Sequence, residues 1–521
     1  MIPMADVMPT AAVNQAQRIL GFPCSATSTT AQVPAQSTAV LRFFLGLHLC
    51  IWAVHYLISG RAELLCNPMQ FHFTYPGFHW VRPWPGSGTV IQFWILALSG
   101  ATLAIGMATR LSAIVAATEF THFFLIDRTN YQNHYYFMLL MLWWLTLLPT
   151  NRCWSIDGEF HEKAQHTSCT ISRLVLTILQ FHVALPYVFG GLAKLESDWL
   201  MGTPMRLMLM QRTGLPESSF VVGFASGILA WGGLLFDLCI VPGLLVRKTR
   251  LTATLIMLVF HLTNAALFPI HIFPWLMLAA STIFFPPDWP GQVQKWLQRR
   301  QAFASPQPQA SLLSPGHSNN VLSLSEHHAD AQSLSAPIEA ANQQRAETWR
   351  MLPAPLIAAW CLFQILWPLR SHLYEGNANW TERGHFFSWR MMLRAKTASA
   401  EFIMRNPGDG SIWKADVRRL LNPEQTLRYS LDPEMIRQLA QHLSHLHAER
   451  TGITPDVHVL ATASLNGRPP RLLIDPAANL ADSHNLADDS WMLTTESRVA
   501  SSTDLLQLQR ISIPETPAVQ L

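Results

Sequence analysis

The chain has 521 residues, of which 50% are hydrophobic and 13% charged, with a formal net charge of +3. Typical soluble domains carry about a quarter charged residues. A chain with 19 Trp and 27 Phe and so few charges cannot bury its apolar residues in soluble cores and still cover itself with charge, so a soluble globular protein is excluded and an integral membrane protein is indicated.

Residues 1–37 are rich in Ala, Thr, Gln and Ser and have no basic run feeding an apolar core. They read as a disordered segment, not a cleavable signal peptide. Apolar runs then fall at 38–59, 90–108, 111–126, 135–149, 171–193, 221–246, 251–269, 270–286 and 352–369. Most approach the roughly 20 residues that span a bilayer, while 111–126 and 135–149 are short and need tilt or flanking residues. The expected architecture is an all-α polytopic membrane helix bundle of nine transmembrane helices followed by a small extramembrane α+β domain. Eight spans lie within 38–300, and 350–370 holds the ninth. Residues 301–349, rich in Ser, Ala, Gln and Pro, read as a disordered linker. In the polar domain over 371–521, a Pro-Gly-Asp-Gly turn marks one hairpin, Asn466-Gly467 a second, and Asp432 caps a helix between them; the tail after about 485 reads as loose.

Lys and Arg concentrate in alternate loops, at Arg110, Arg152, Lys163, "RKTR" (247–250) and "KWLQRR" (295–300). This places the N-terminus in the cytoplasm and, with nine spans, the 371–521 domain outside. Of seven cysteines none forms a CxxC pair and none follows Cys361, so neither a thiolate metal site nor a disulfide framework is expected.

On this topology the outer ends of several spans collect polar residues: Asp127, Arg128, Asn133 and His134 before the fourth span, Lys194 after the fifth, and His261 and Asn264 in the seventh. Ionisable groups at membrane depth face the bundle interior and are functional candidates. Each also has a plain structural reading. Lys194 could snorkel to the interface and pair with Asp198, the histidines could be hydrogen-bonded within the core, and Asp127 with Arg128 could be a weak surface pair. Trp199 suits an aromatic belt, and the Gly-Gly pairs at 190–191 and 232–233 suit close helix packing.

The order of motifs resembles the vitamin K-dependent γ-glutamyl carboxylase family, whose membrane part is described as the HTTM domain. The likeness runs through "IDRTNYQNHYYF" (126–137), "RCWSIDG" (152–158), "YVFGGLAKLESDWLMG" (187–202), "FDL" (236–238), "FHLTNAALFPIHIFPWLM" (260–277), "EGNANWTERGHFFSWRMM" (375–392) and "RLLIDP" (471–476). It implies an enzyme that uses reduced vitamin K, O2 and CO2, with no metal. A lysine amine deprotonates the hydroquinone, and oxygen then drives formation of an epoxide by way of an alkoxide basic enough to take a glutamate γ-proton, after which the carbanion captures CO2. By resemblance the lysine is Lys194 and the assisting histidine is His134. His261, Asn264, Tyr187, Phe189 and Trp199 are candidate quinone contacts in an outer-leaflet pocket between the fourth, fifth and seventh spans, with Asp127, Arg128, Asn133 and Asp198 as supporting polar groups.

An ammonium with the ordinary lysine pKa of about 10.4 is no base, so the amine must be partly neutral, as burial favours. Asp198 and Glu196 must then point away from it. An alanine at 194 is expected to leave no buried charge behind. The resemblance implies a glutamate-containing peptide or protein and the lipid bilayer as partners, with no nucleic acid. It also implies a location in the inner (plasma) membrane if the source is bacterial, with the C-terminal domain on the outer side. The chain departs from the animal enzymes in length, and their disulfide between the lumenal domain and the membrane part cannot form here. Quinol epoxidation without protein carboxylation, and a non-catalytic lipid-binding scaffold of the same fold, stay open as alternatives.

Overall fold

A computed structural model describes residues 31–65, 70–159, 169–268, 270, 272–304, 353–482 and 489–495. Most of the expected N-terminal disordered segment, nearly all of the expected linker and the tail after 495 lie outside these residues. The apolar runs are helical: α1 (Gln36–Ile58), α2 (Gly88–Ile105), α3 (Thr109–Ile126), α4 (Asn133–Leu147), α5 (Arg173–Ala193), α6 (Phe220–Leu245), α7 (Arg250–Leu267) and α8 (Phe273–Ser281). After them come α9 (Trp289–Ala304) and α10 (Ala354–Leu366), the latter over the ninth run. Five of these helices, α1, α2, α5, α6 and α7, are long and apolar enough to cross a membrane. Helix α4 has only 15 residues, and α3 dilutes its apolar run with Thr109, Arg110, Glu119 and Thr121.

Small residues set the helix spacing. A Cβ at Gly46 would lie 2.5 Å from the Ala104 amide nitrogen, and one at Gly100 would lie 2.8 Å from that of Cys50, so α1 and α2 meet backbone to backbone. Between α5 and α6, a Cβ at Gly191 would lie 2.7 Å from Leu238. The one arginine of α1, Arg42, is 1% exposed, and its guanidinium donates to the carbonyls of Thr150 (2.8 Å), Cys153 (3.4 Å) and Trp154 (2.5 Å). A charge inside the bundle is satisfied in this way by the turn that follows α4.

Two sequence-based expectations change here. Residues 32–34, assigned to the disordered segment, form strand β1 (Gln32–Pro34), which pairs antiparallel with β2 (Thr170–Ser172), Val33 opposite Ile171. Beside this pair Cys153 and Cys169 are joined as a disulfide with Cα atoms 5.3 Å apart, where no bridge was expected. The β1–β2 pairing and the Arg42 contacts bring the two cysteines together, and neither is visible in cysteine spacing.

The C-terminal domain has a four-stranded antiparallel sheet in the order β4-β3-β5-β6, formed by β3 (Lys396–Arg405), β4 (Ile412–Lys414), β5 (Asp456–Leu465) and β6 (Arg471–Leu472). The β5–β6 turn carries positive φ at both Asn466 (53°) and Gly467 (75°), as the Asn-Gly dipeptide dictates. The Asp432 side chain accepts from the Glu434 amide and caps α11 (Pro433–Thr451). The α11 residues Ile436, Leu439, Ala440 and Leu443 share a core with Phe402, Met404, Val457, Val459 and Ala461 of the sheet.

This domain is fastened to the helix bundle by buried polar pairs. Arg128 donates to Asp432 at 2.8 Å and Gln425 donates to Asp127 at 2.6 Å. Asp127 also accepts from Thr129 and from the Phe73 amide. Asp127 and Arg128 are therefore interface anchors, 1% and 9% exposed, and not a solvated surface pair.

Candidate active site

Helix α5 ends at Ala193 with Lys194 as its C-cap, and the chain then turns into a short helix over 197–200. The lysine does not snorkel outward. It is 5% exposed and folds back along its own helix, where Nζ donates to the Gly190 carbonyl at 3.2 Å and to Asp237 Oδ2 at 2.6 Å. Gly190 makes this possible: a Cβ there would lie 3.2 Å from Asp237 Oδ2, 3.2 Å from Met391 and 3.8 Å from Nζ. The face of Trp199 lies 5.1 Å from Nζ, and its indole N–H donates to the Ala230 carbonyl at 2.8 Å. Trp199 covers the amine and is not part of a membrane belt.

The two acids that follow the lysine in sequence face elsewhere. Glu196 accepts from Asn379 (2.8 Å) and Arg390 (3.2 Å), and Asp198 accepts from Asn466 (2.6 Å) and the fork of Arg468 (2.5 and 2.7 Å). Burial pushes the Glu196 carboxyl up from its ordinary range, while Arg468 holds that of Asp198 below it. All four partners belong to the C-terminal domain, which thereby clamps the segment just after Lys194.

Lys194 opens onto a cavity of about 730 Å3, a volume suited to a drug-sized ligand. The walls are mostly apolar, with Phe236, Phe260, Phe273 and Met277 among them. His134, Lys194, His261, Asn264, Tyr187, Trp199 and Asn133 all line it, whereas Phe189, Asp127, Arg128 and Asp198 do not. Phe189 is 7% exposed and packs in the bundle core. The cavity reaches beyond the expected fourth, fifth and seventh helices, because α6 supplies Phe236 and Asp237 and α8 supplies Phe273.

Around the cavity the polar groups are few and oriented. Tyr187 Oη meets His261 Nε2 at 3.0 Å and Ser281 Oγ at 2.8 Å. The other ring nitrogen of His261, Nδ1, is buried and has no hydrogen-bond partner among the described residues. The His134 ring lies 5.7 Å from that of Phe273. Asn133 donates to the Arg390 carbonyl at 3.2 Å, so the C-terminal domain closes the side of the cavity near His134. Arg390, Met391 and Met392 complete that roof.

Asp237 is the site residue that sequence reasoning missed. A lone carboxylate within the 26-residue apolar helix α6 was the available signal, since an ionisable group in a span marks function by default. The Lys194–Asp237 pair is electrically neutral as a whole, so a proton can sit on Nζ or on Oδ2 without a net charge entering the apolar cavity.

Residues 31–289 match the family model described as the HTTM domain, and residues 349–498 match that described as the vitamin K-dependent gamma-carboxylase lumenal domain. No solved structure matches the chain.

Proposed function

This chain belongs to the vitamin K-dependent gamma-carboxylase family, and from that premise we propose that it is a multi-pass membrane carboxylase whose cavity takes a reduced naphthoquinone. The observation that carries this reading is the buried Lys194 amine, set at the end of an apolar helix inside a largely apolar cavity that His134 also lines. The residues present fit the group. A fused-ring quinol needs apolar walls and a few fixed polar partners, and Nδ1 of His261, unpartnered among the described residues, is a buried polar atom that a ligand oxygen would satisfy.

Lys194, His134, His261 and Asn264 would hold the quinol. Once bound, reduced vitamin K with O2 supplies the strong base that opens the glutamate γ-carbon to CO2. The chain's own part is to place, hold and shield. Nζ of Lys194 accepts a proton at the cavity wall, and Asp237 fixes Nζ and balances its charge. His134 supports developing negative charge by hydrogen bonding. Trp199 and the roof of the C-terminal domain keep water from a site where it would quench a strong base.

The test is incubation of purified protein with vitamin K hydroquinone and O2, with and without a glutamate peptide and labelled CO2. Epoxide and labelled peptide are both expected. Epoxide without label would reduce the function to quinol oxidation, and neither product would leave a non-catalytic scaffold.

The proposed topology has nine spans, with α9 on the cytoplasmic side and residues 371–521 outside, in the inner (plasma) membrane if the source is bacterial. Within it, 38–300 forms the bundle, 301–349 a linker, 350–370 the last span and 371–521 the outer domain. The clustering of Arg and Lys at 247–250 and 295–300 supports that orientation. A membrane-impermeant thiol reagent added outside intact cells should label Gly410→Cys and spare Gln298→Cys. The opposite pattern would invert the topology.

A further inference from the structure

Helix α9 projects from the bundle beyond its first turn. Its root is fixed at the starting end of α1, one of the helices able to cross a membrane. There the Ser37 amide donates to the Pro287 carbonyl at 3.1 Å, and a Cβ at Gly291 would lie 3.3 Å from Gln36 Nε2. Every residue from 292 to 301 is exposed. A helical stretch this short is marginal in water unless one face is packed against something. Such a face is present. Trp289, Val293, Trp296 and Leu297 stand at i, i+4, i+7 and i+8, and the last three are 44%, 51% and 48% exposed. Lys295 lies on the far side and Arg299 at the flank. Arg300 ends the apolar stripe, with its guanidinium 4.2 Å from the centroid of the Trp296 ring. No acid falls within 289–304, so three cations stand uncompensated by any carboxylate of their own helix.

We propose that α9 is an in-plane docking helix for anionic phospholipid, laying Val293, Trp296 and Leu297 against the acyl chains and presenting Lys295, Arg299 and Arg300 to the headgroups. The root sits where a membrane-crossing helix begins, so the apolar stripe is within reach of the leaflet at that end. A cationic helix with Trp and Leu on one face is the composition that binds a bilayer surface, and its charge favours anionic lipid. A seam with another membrane helix would instead call for small residues at the contact. Trp beside Arg suits the interface, where the ring sits at headgroup level and the long cation reaches to phosphate. This docking needs no ligand in the cavity.

The experiment puts p-benzoylphenylalanine in place of Leu297, of Lys295 or of Leu98 in the full chain, in liposomes of equal phosphatidylcholine and phosphatidylglycerol. Leu98, 68% exposed on the membrane-crossing α2, is the lipid-facing control. Photo-adducts are read by mass, and thermal unfolding checks the fold of each variant. Position 297 should give acyl-chain adducts as position 98 does, and position 295 at least about fivefold fewer, because it lies on the polar side. With the probe at 297, the triple variant Lys295→Gln/Arg299→Gln/Arg300→Gln should lower the ratio of phosphatidylglycerol to phosphatidylcholine adducts at least about fivefold, the scale of one cation at an anionic surface. Raised salt should lower that ratio in the unsubstituted charge set as well. An adduct at 297 to a second copy of the chain in place of lipid would overturn the proposal and make this face an interface between copies. No lipid adduct at 297, with adducts at 98, would also overturn it, as would a ratio that neither the triple variant nor salt changes.

Discussion

Lys194→Arg should fold normally and turn over no detectable reduced vitamin K. A guanidinium keeps its proton at any pH a protein survives, so it can replace the charge of the lysine but not its ability to accept a proton. It can still pair with Asp237 and so leaves no uncompensated charge in the bundle. Lys194→Ala should be equally inactive for a mixed reason. Sequence alone suggests that the alanine leaves nothing charged behind, yet the structure leaves the Asp237 carboxylate, 5% exposed, without its 2.6 Å partner. Breaking a buried pair from one side typically costs about 3–5 kcal/mol. The arginine variant is therefore the cleaner probe, and the measurements are epoxide formation and the unfolding temperature in the same detergent. His134→Ala should lose roughly 10²–10³-fold in turnover with the fold intact, the scale of one lost transition-state hydrogen bond. Wild-type turnover in Lys194→Arg would end the case for the lysine as proton acceptor.

Much of this arrangement is legible in the sequence because it depends on patterns local to a segment. Apolar runs locate the helices, Asn466-Gly467 locates a hairpin, and loop charge sorts His134, Lys194, His261 and Asn264 to one end of the bundle, where they line one cavity. Helical geometry also separates Phe189 from the cavity: Tyr187 and Lys194 are seven residues apart and share a face, while Phe189, two residues from Tyr187, points nearly opposite. Other features depend on partners hundreds of residues away. Asp127 and Arg128 are anchored by Gln425 and Asp432, and Glu196 and Asp198 are turned from the lysine by Asn379, Arg390, Asn466 and Arg468. No spacing rule links such residues. The same holds for Cys153 and Cys169, which meet where β1 pairs with β2 and Arg42 holds the turn after α4.

Asp237 carries the second large effect, in stability and in turnover together. Asp237→Leu should destabilise the protein by about 3–5 kcal/mol, because it leaves the Lys194 ammonium buried without a counter-charge, and Lys194→Met should cost a similar amount by leaving the carboxylate. The double variant Lys194→Met/Asp237→Leu should recover most of that loss, since apolar side chains of similar volume replace a buried ion pair at little or no net cost. A double-mutant cycle on thermal or denaturant unfolding should therefore give a coupling energy of several kcal/mol, well above the roughly 0.3–0.5 kcal/mol of simple additivity. Turnover should be absent from Lys194→Met and from the double variant, so stability returns while function does not. Asp237→Asn separates geometry from charge. It keeps an acceptor near Nζ, and its turnover should fall by roughly 10²-fold, because an amine held less firmly is displaced from its working position. Together these outcomes would mean that a buried ion pair of little net value to the fold is present for its chemistry. A double variant no more stable than either single one would contradict this, since the pair would then be holding α5 to α6 through something other than charge. Wild-type turnover in Asp237→Asn would remove the carboxylate from the site's function and leave Lys194 to act with His134 alone.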